Sequence, residues 1–177
     1  VSTWNVHADP RSFIQDELGD FLKGYFRDLM VSQPNHIEIV CEKNTIEPIV
    51  RSVAMEYTIP VTSGRGYCSL EPRRMMDERF EKSGKKFLII LLLSDFDPDG
   101  LVIAESFARS MCDDFGVDDI KPIRVGLTKE QILAMDNPPK ALPSKETSSN
   151  YNRFVAEHGK DCWELEAIPP EGLQQIL

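Results

Sequence analysis

Three aspartates, Asp95, Asp97 and Asp99, alternate in the stretch FLIILLLSDFDPDG, directly after seven apolar residues from Phe87 to Leu93. Carboxylates packed this densely repel one another unless a cation lies among them. A fourth acid, Glu42, stands in an equivalent place, directly after the strand-like run IEIVC at 37–41. Hard oxygen donors suit Mg²⁺ or Mn²⁺, and Mg²⁺ takes only one or two carboxylates and keeps several waters. Glu42 with Asp95 and Asp97 would suffice, and Asp99 adds a further candidate ligand. A metal held in this way stabilises charge developing on phosphate oxygens.

Two other chemistries share part of this pattern. D-x-D-x-D-G is the start of a calcium loop of the EF-hand type, which needs a bidentate Glu at its twelfth position and a helix before it. Here Ser106 holds that position, Glu105 falls one short, and a strand-like run precedes the loop. A D-x-D after an apolar strand also resembles the nucleophile motif of haloacid-dehalogenase-like phosphatases. That motif opens its fold and continues into a Ser- or Thr-bearing segment, whereas here it continues as GLVI at 100–103.

The elements that must carry these acids follow from periodicity. Asp9 and Pro10 read as a helix start, and Leu18, Phe21, Leu22, Tyr25, Phe26 and Leu29 extend an apolar stripe that predicts one helix to near Met30. Asn44 or Thr45 is positioned to cap a second helix striped by Ile46, Ile49, Val50, Val53, Ala54 and Tyr57. A short strand (IPVT, 59–62), a tight glycine loop (SGRGY, 63–67) and a helix from Ser69 to a stop at Gly84 come next. The run 87–93 lacks alternation and predicts a strand buried on both faces.

Leu101, Ala104, Phe107, Ala108 and Met111 predict another helix, and IKPIRV (120–125) a strand whose Pro122 points to a sheet edge. Thr128 and Gln131 fit a capping box. A Pro-rich connection (136–149) leads to a helix stopped by Gly159 and then to CWELEAIPPEGLQQIL, a strand or turn and a short helix. In this tail Trp163 reads as a packed aromatic, and Glu164 and Glu166 alternate without an assigned chemistry. Strands alternating with helices predict an α/β fold: a mostly parallel central sheet flanked by helices on both faces, in a Rossmann-like three-layer arrangement. Functional groups then collect at the carboxyl ends of the strands. The predicted division is an N-terminal helical segment on the core (1–35), the α/β domain (36–135) and a C-terminal extension of the same globule (136–177).

Composition narrows the setting. The 177 residues suffice for one good core, and the net charge of −9 argues against broad nucleic-acid binding. Between 61 and 90, seven bases (Arg65, Arg73, Arg74, Arg79, Lys82, Lys85, Lys86) face four acids, a local surplus of three. No apolar run reaches membrane-spanning length and the first residues lack a signal-peptide pattern, so no membrane partner is expected. Cys41, Cys68, Cys112 and Cys162 form no C-x-x-C pair and read as free thiols in a reducing, cytoplasmic setting. The chain begins with Val, which raises the expectation of a domain upstream.

Taken in order, VCEK, TSGRGY and SDFDPDG resemble a Toprim domain, over about half the chain (37–125). The nearest likeness is to the A subunit of topoisomerase VI and its relatives that make meiotic double-strand breaks. Glu42 matches the strand-end Glu of that family; Gly64, Arg65, Gly66 and Tyr67 match its glycine loop, with Arg for Lys; Asp95, Asp97, Pro98 and Gly100 match its acidic motif. The resemblance implies a fold of the Toprim type, Mg²⁺ or Mn²⁺ as cofactor and DNA as partner, in a cell's nucleoid. It makes Glu42 a catalytic acid or base, with Arg65 holding a phosphate.

Lys43, Gly64 and Gly66 beside the motifs, and Arg73 and Arg74 in the basic stretch, become phosphate- or DNA-binding candidates. The departures are Cys68 where the family has Pro, Asp99 where it has an aromatic residue, and an unmatched tail from Thr128. The family's DNA-cleaving tyrosine lies in a winged-helix domain ahead of the Toprim domain, and the stretch before Glu42 is too short to hold one. Tyr25 lies on an apolar stripe and reads as core. A topoisomerase part, a stand-alone metal-dependent nuclease and a non-catalytic binding or assembly module therefore all remain open, and a homodimer is compatible with each.

Overall fold

A computed structural model describes residues 6–21, 23, 27–64 and 69–177. Its centre is a four-stranded, wholly parallel sheet of β1 (His36–Cys41), β2 (Val61–Ser63), β3 (Leu88–Leu93) and β4 (Ile120–Gly126), in the order β2-β1-β3-β4. The α/β expectation holds, including the edge position of β4, the strand that carries Pro122.

The strand order explains where the helices lie. From β1 the chain steps outward through α2 (Glu47–Glu56) to β2, returns through α3 (Leu70–Ser83) to β3, and steps the other way through α4 (Gly100–Phe115) to β4. Right-handed crossovers in opposite directions place their helices on opposite faces. One face accordingly packs Met76 of α3 and Ile103, Phe107 and Met111 of α4 onto Val40, Leu88, Ile90 and Leu92. The other packs Val50 and Ala54 of α2 onto Ile39, Cys41 and Leu93, together with Ile132, Phe154 and Leu173. Those three belong to α5 (Lys129–Leu133), α6 (Tyr151–His158) and α7 (Pro170–Ile176). The unbroken apolar run of β3 is thus covered on both sides. The tail shares the core, through Phe154, Cys162, Trp163, Leu165, Ile168 and Leu173.

Local signals hold where short-range chemistry decides. Thr128 and Gln131 form the capping box at α5, and Gly84 ends α3 with a left-handed backbone (φ 63°). Others are corrected. The first helix, α1 (Pro10–Phe21), ends nine residues short of Met30; Leu29 and Met30 fall in a separate 3-10 turn (Leu29–Ser32), while Leu22, Tyr25 and Phe26 lie outside the described residues. No residue of α1 is buried, and Leu18 and Phe21 are 69% and 78% exposed, so its stripe is not packed on the core.

Neither Asn44 nor Thr45 caps α2, which starts beyond Ile46 with Pro48 in its first turn. Ser69 precedes α3 without a side-chain cap bond. Within the Pro-rich connection, β5 (Leu142–Pro143) pairs antiparallel with β6 (Asp161–Cys162). Among the described residues no helix is long and apolar enough to cross a membrane.

Candidate metal site

Between β1 and β3 the crossovers diverge, which is where open parallel sheets form a crevice at their carboxyl ends. Cys41 lies opposite Leu93 in register, so the residues after each strand emerge at one level. The Glu42 N–H donates to Leu93 O (2.9 Å), and the Asp95 N–H donates to Glu42 Oε2 (3.0 Å). A cleft of about 450 Å³ opens there, lined by Glu42, Lys43, Asn44, Thr45, Asp95, Asp97, Asp99, Lys145, Glu164 and Glu166. All four carboxylates singled out as metal ligands, with Lys43, therefore meet at one rim.

A cation does lie among them. The Lys43 ammonium is 2.8 Å from Asp95 Oδ2, 3.2 Å from Glu166 and 4.0 Å from Glu164. Asp95 is nearly buried, and its other oxygen accepts from the Leu165 N–H (2.8 Å). Asp97 Oδ1 accepts from the Gly100 N–H (2.6 Å), so it is Asp97 that caps the first turn of α4. Asp99 accepts from Ser148 (2.6 Å) and from Asn150 (3.3 Å). Glu166 also accepts from the Thr45 hydroxyl.

The loop itself is fastened from beneath. Arg124 of β4 donates to the carbonyls of Asp95 (2.6 Å), Gly100 (2.9 Å) and Leu127 (2.8 Å). The Ser94 hydroxyl donates to Gly100 O (3.0 Å). Phe96 exchanges two backbone bonds with Trp163 (2.8 and 3.0 Å), which ties the loop to the tail. Gly100 has no space for a side chain, because a Cβ would lie 2.2 Å from Asp95 O and 3.1 Å from Asp97 Oδ1.

Burial and crowding set the protonation. Burial pushes the Glu42 carboxyl up to about 7; the Asp95 N–H opposes this, and the charges of Asp95 and Asp97 add to it. For Lys43, burial pulls the ammonium down, but Asp95, Glu166 and Glu164 outweigh it and the net direction is upward. Arg124 is lowered to about 10 by burial, against the pull of Glu42, Asp97 and Asp95.

The donor set consists of hard oxygens and fits a divalent cation of the Mg²⁺ class in kind. Among the described residues, no three acidic, imidazole or thiol side chains are already gathered as a ligand set. At Asp95 a lysine and a backbone N–H each bond one oxygen. Glu42 and Asp97 each accept through one oxygen from a backbone N–H. These two, with Asp95 once Lys43 has moved, are the residues that would hold the metal.

The other candidates divide. Gly64 sits at the same rim, its N–H donating to Cys41 O (3.1 Å). Arg65 and Gly66 lie outside the described residues. Arg73 and Arg74 do not reach the cleft: Arg73 pairs with Asp114 (2.7 Å), and Arg74 with Glu71 (2.8 Å) and Glu78. The basic surplus of this stretch is largely spent inside the fold, since Arg79 also pairs, through two bonds (2.9 and 2.8 Å), with the wholly buried Glu38.

Arg124, Glu164 and Glu166 escaped the sequence reading as site residues. Only the alternation of the two glutamates carried a visible signal. A larger cavity, about 610 Å³, lies elsewhere, beside His36 and Arg79 at the start of β1. The smaller cleft is the stronger candidate, because it stands at the carboxyl ends of the strands and gathers the acids. No family model and no curated protein sequence matches the chain.

Proposed function

We propose that this chain is a Toprim-like, Mg²⁺- or Mn²⁺-dependent part of a topoisomerase VI A-like protein that acts on DNA phosphodiester bonds. One observation carries the reading. Glu42 at the end of β1 and Asp95 and Asp97 at the end of β3 line a single cleft, with Glu42 bonded to the Asp95 backbone at 3.0 Å. The parallel sheet and the switch point between β1 and β3 support it.

The residues divide the work. A bound divalent metal supplies charge stabilisation for the phosphate oxygens. Glu42, fixed above the cleft by the Asp95 N–H, is placed to serve as an acid or base at the leaving or attacking oxygen. Asp97 keeps one oxygen on the helix N-terminus, so its position is set before any ligand arrives. Lys145 is the cleft's cation for a DNA phosphate, since Lys43 is engaged by Asp95 and Glu166. With a net charge of −9 and the α3 arginines paired internally, approach of DNA depends on the metal.

The test is DNA binding measured with and without Mn²⁺. Mn²⁺-stimulated binding by the intact chain, lost in Asp97→Asn, supports the reading; binding indifferent to metal and to this substitution overturns it. A second reading, a non-catalytic binding module, draws on the lysine already seated on Asp95; metal-indifferent DNA binding is its signature. Nicking of supercoiled plasmid by the chain alone, absent in Glu42→Gln, would identify a self-sufficient nuclease instead.

A further inference from the structure

We propose that Lys43 is an exchangeable counterion: its ammonium bridges Asp95 and Glu166, and it lets go of Asp95 and settles on Glu166 and Glu164 when a divalent metal enters. The inference rests on the metal-site reading above and adds a built-in competitor to it.

One ammonium bridges two carboxylates: Lys43 Nζ lies 2.8 Å from Asp95 Oδ2 and 3.2 Å from Glu166, so a small rotation of its flexible four-carbon stem releases Asp95 while Glu166 keeps its bond. The ammonium takes one lone pair of Asp95 Oδ2, and its repulsion with a divalent ion a few ångströms away is large in a part-buried cleft, so the two compete for this carboxylate. The metal therefore binds more tightly once the lysine has withdrawn.

The receiving station is built from the tail. Leu165, between the two glutamates, gives its N–H to Asp95 Oδ1 (2.8 Å), which keeps that carboxylate aimed when the lysine leaves. Thr45 holds Glu166 on the far side. One short segment thus anchors the ligand and supplies the landing place for its displaced partner. This gives Glu164 and Glu166 a role. Apparent metal affinity is reduced by the fraction of molecules in which Asp95 is occupied by lysine.

Mn²⁺ titration of the intact chain, followed by the electron paramagnetic resonance of free Mn²⁺, tests this without any activity assay. Lys43→Ala should tighten Mn²⁺ binding by about tenfold, and Lys43→Gln should act in the same direction. Glu166→Gln should weaken binding several-fold in the wild-type background and much less in Lys43→Ala, because its effect passes through the lysine. Lys145→Ala, which removes a cation from the same cleft, measures the general field effect and should change binding less than Lys43→Ala.

A cycle in which Lys43 and Glu166 act additively, or equal affinity of wild type and Lys43→Ala, overturns the exchange while leaving the metal site standing. Absence of Mn²⁺ binding by every variant overturns the metal site, and the exchange with it. Thermal melts followed by circular dichroism establish that each variant is folded.

Discussion

The backbone N–H of Asp95 donates to the side chain of Glu42 at 3.0 Å, across 53 residues of sequence. The bond fixes the Glu42 carboxyl above the crevice and links the acidic loop to the neighbouring strand. It also places a carboxyl that burial has raised to about 7 beside Asp95 and Asp97.

A pH dependence follows with a definite sign. Below the ordinary value of 4.5 Glu42 is protonated folded or unfolded; between 4.5 and about 7 the folded chain keeps the proton that the unfolded chain releases. The folded state then binds more protons, so this group's contribution to stability falls as pH rises through that window and is flat above it. Glu42→Gln keeps an acceptor for the Asp95 N–H and cannot titrate. Relative to wild type it should gain on the order of 1 kcal/mol between pH 4 and pH 8, allowing for solvent screening of a part-exposed group. Urea midpoints at the two pH values check this.

Gly100→Ala should damage both stability and metal binding. A Cβ 2.2 Å from Asp95 O forces the loop away from α4 and moves Asp95 and Asp97 together. Overpacking of this kind costs about 1–3 kcal/mol or more. Chemical denaturation and Mn²⁺ binding measured on the same sample should both show the loss.

Arg79→Ala should separate stability from function. It strips a wholly buried Glu38 of its two-bond partner and leaves it, among the described residues, with His36 at 2.9 Å. Breaking a buried pair costs about 3–5 kcal/mol. Glu38 sits near the start of β1, away from the cleft that follows its end, so Mn²⁺ affinity of the folded protein should be unchanged.

Arg124→Lys is expected to be non-conservative. The guanidinium reaches the carbonyls of Asp95, Gly100 and Leu127 through separate N–H groups, a fork that a lysine cannot reproduce. Loss of two such buried charge-assisted bonds corresponds to about 3 kcal/mol. Hydrogen exchange should rise across residues 94–100, the loop whose Asp95 and Gly100 carbonyls the arginine holds.

What the sequence shows plainly is whatever a few neighbouring residues decide. The apolar run 87–93 reads as a buried strand because no polar residue interrupts it, and Thr128 with Gln131 reads as a cap because both halves of the motif are three residues apart. The convergence of Glu42 with Asp95 and Asp97 was legible because parallel βα units send strand ends to one rim. Long-range partners were not. Lys43 meets Glu166 across 123 residues, and Arg124 looks like any polar residue of an edge strand until the loop folds over it. The stripe on α1 failed for a related reason. Periodicity reports which face is apolar, and in the described residues no element of the core covers that face.

Calorimetric titration of Mn²⁺ into the intact chain, wild type against Asp97→Asn, tests the central claim most directly. The substituted side chain keeps an oxygen for the Gly100 N–H while losing its charge, so the loop stays capped. Saturable binding by the wild type that disappears or weakens at least tenfold in the variant is the predicted result; no binding by the wild type, or equal binding by both, contradicts it.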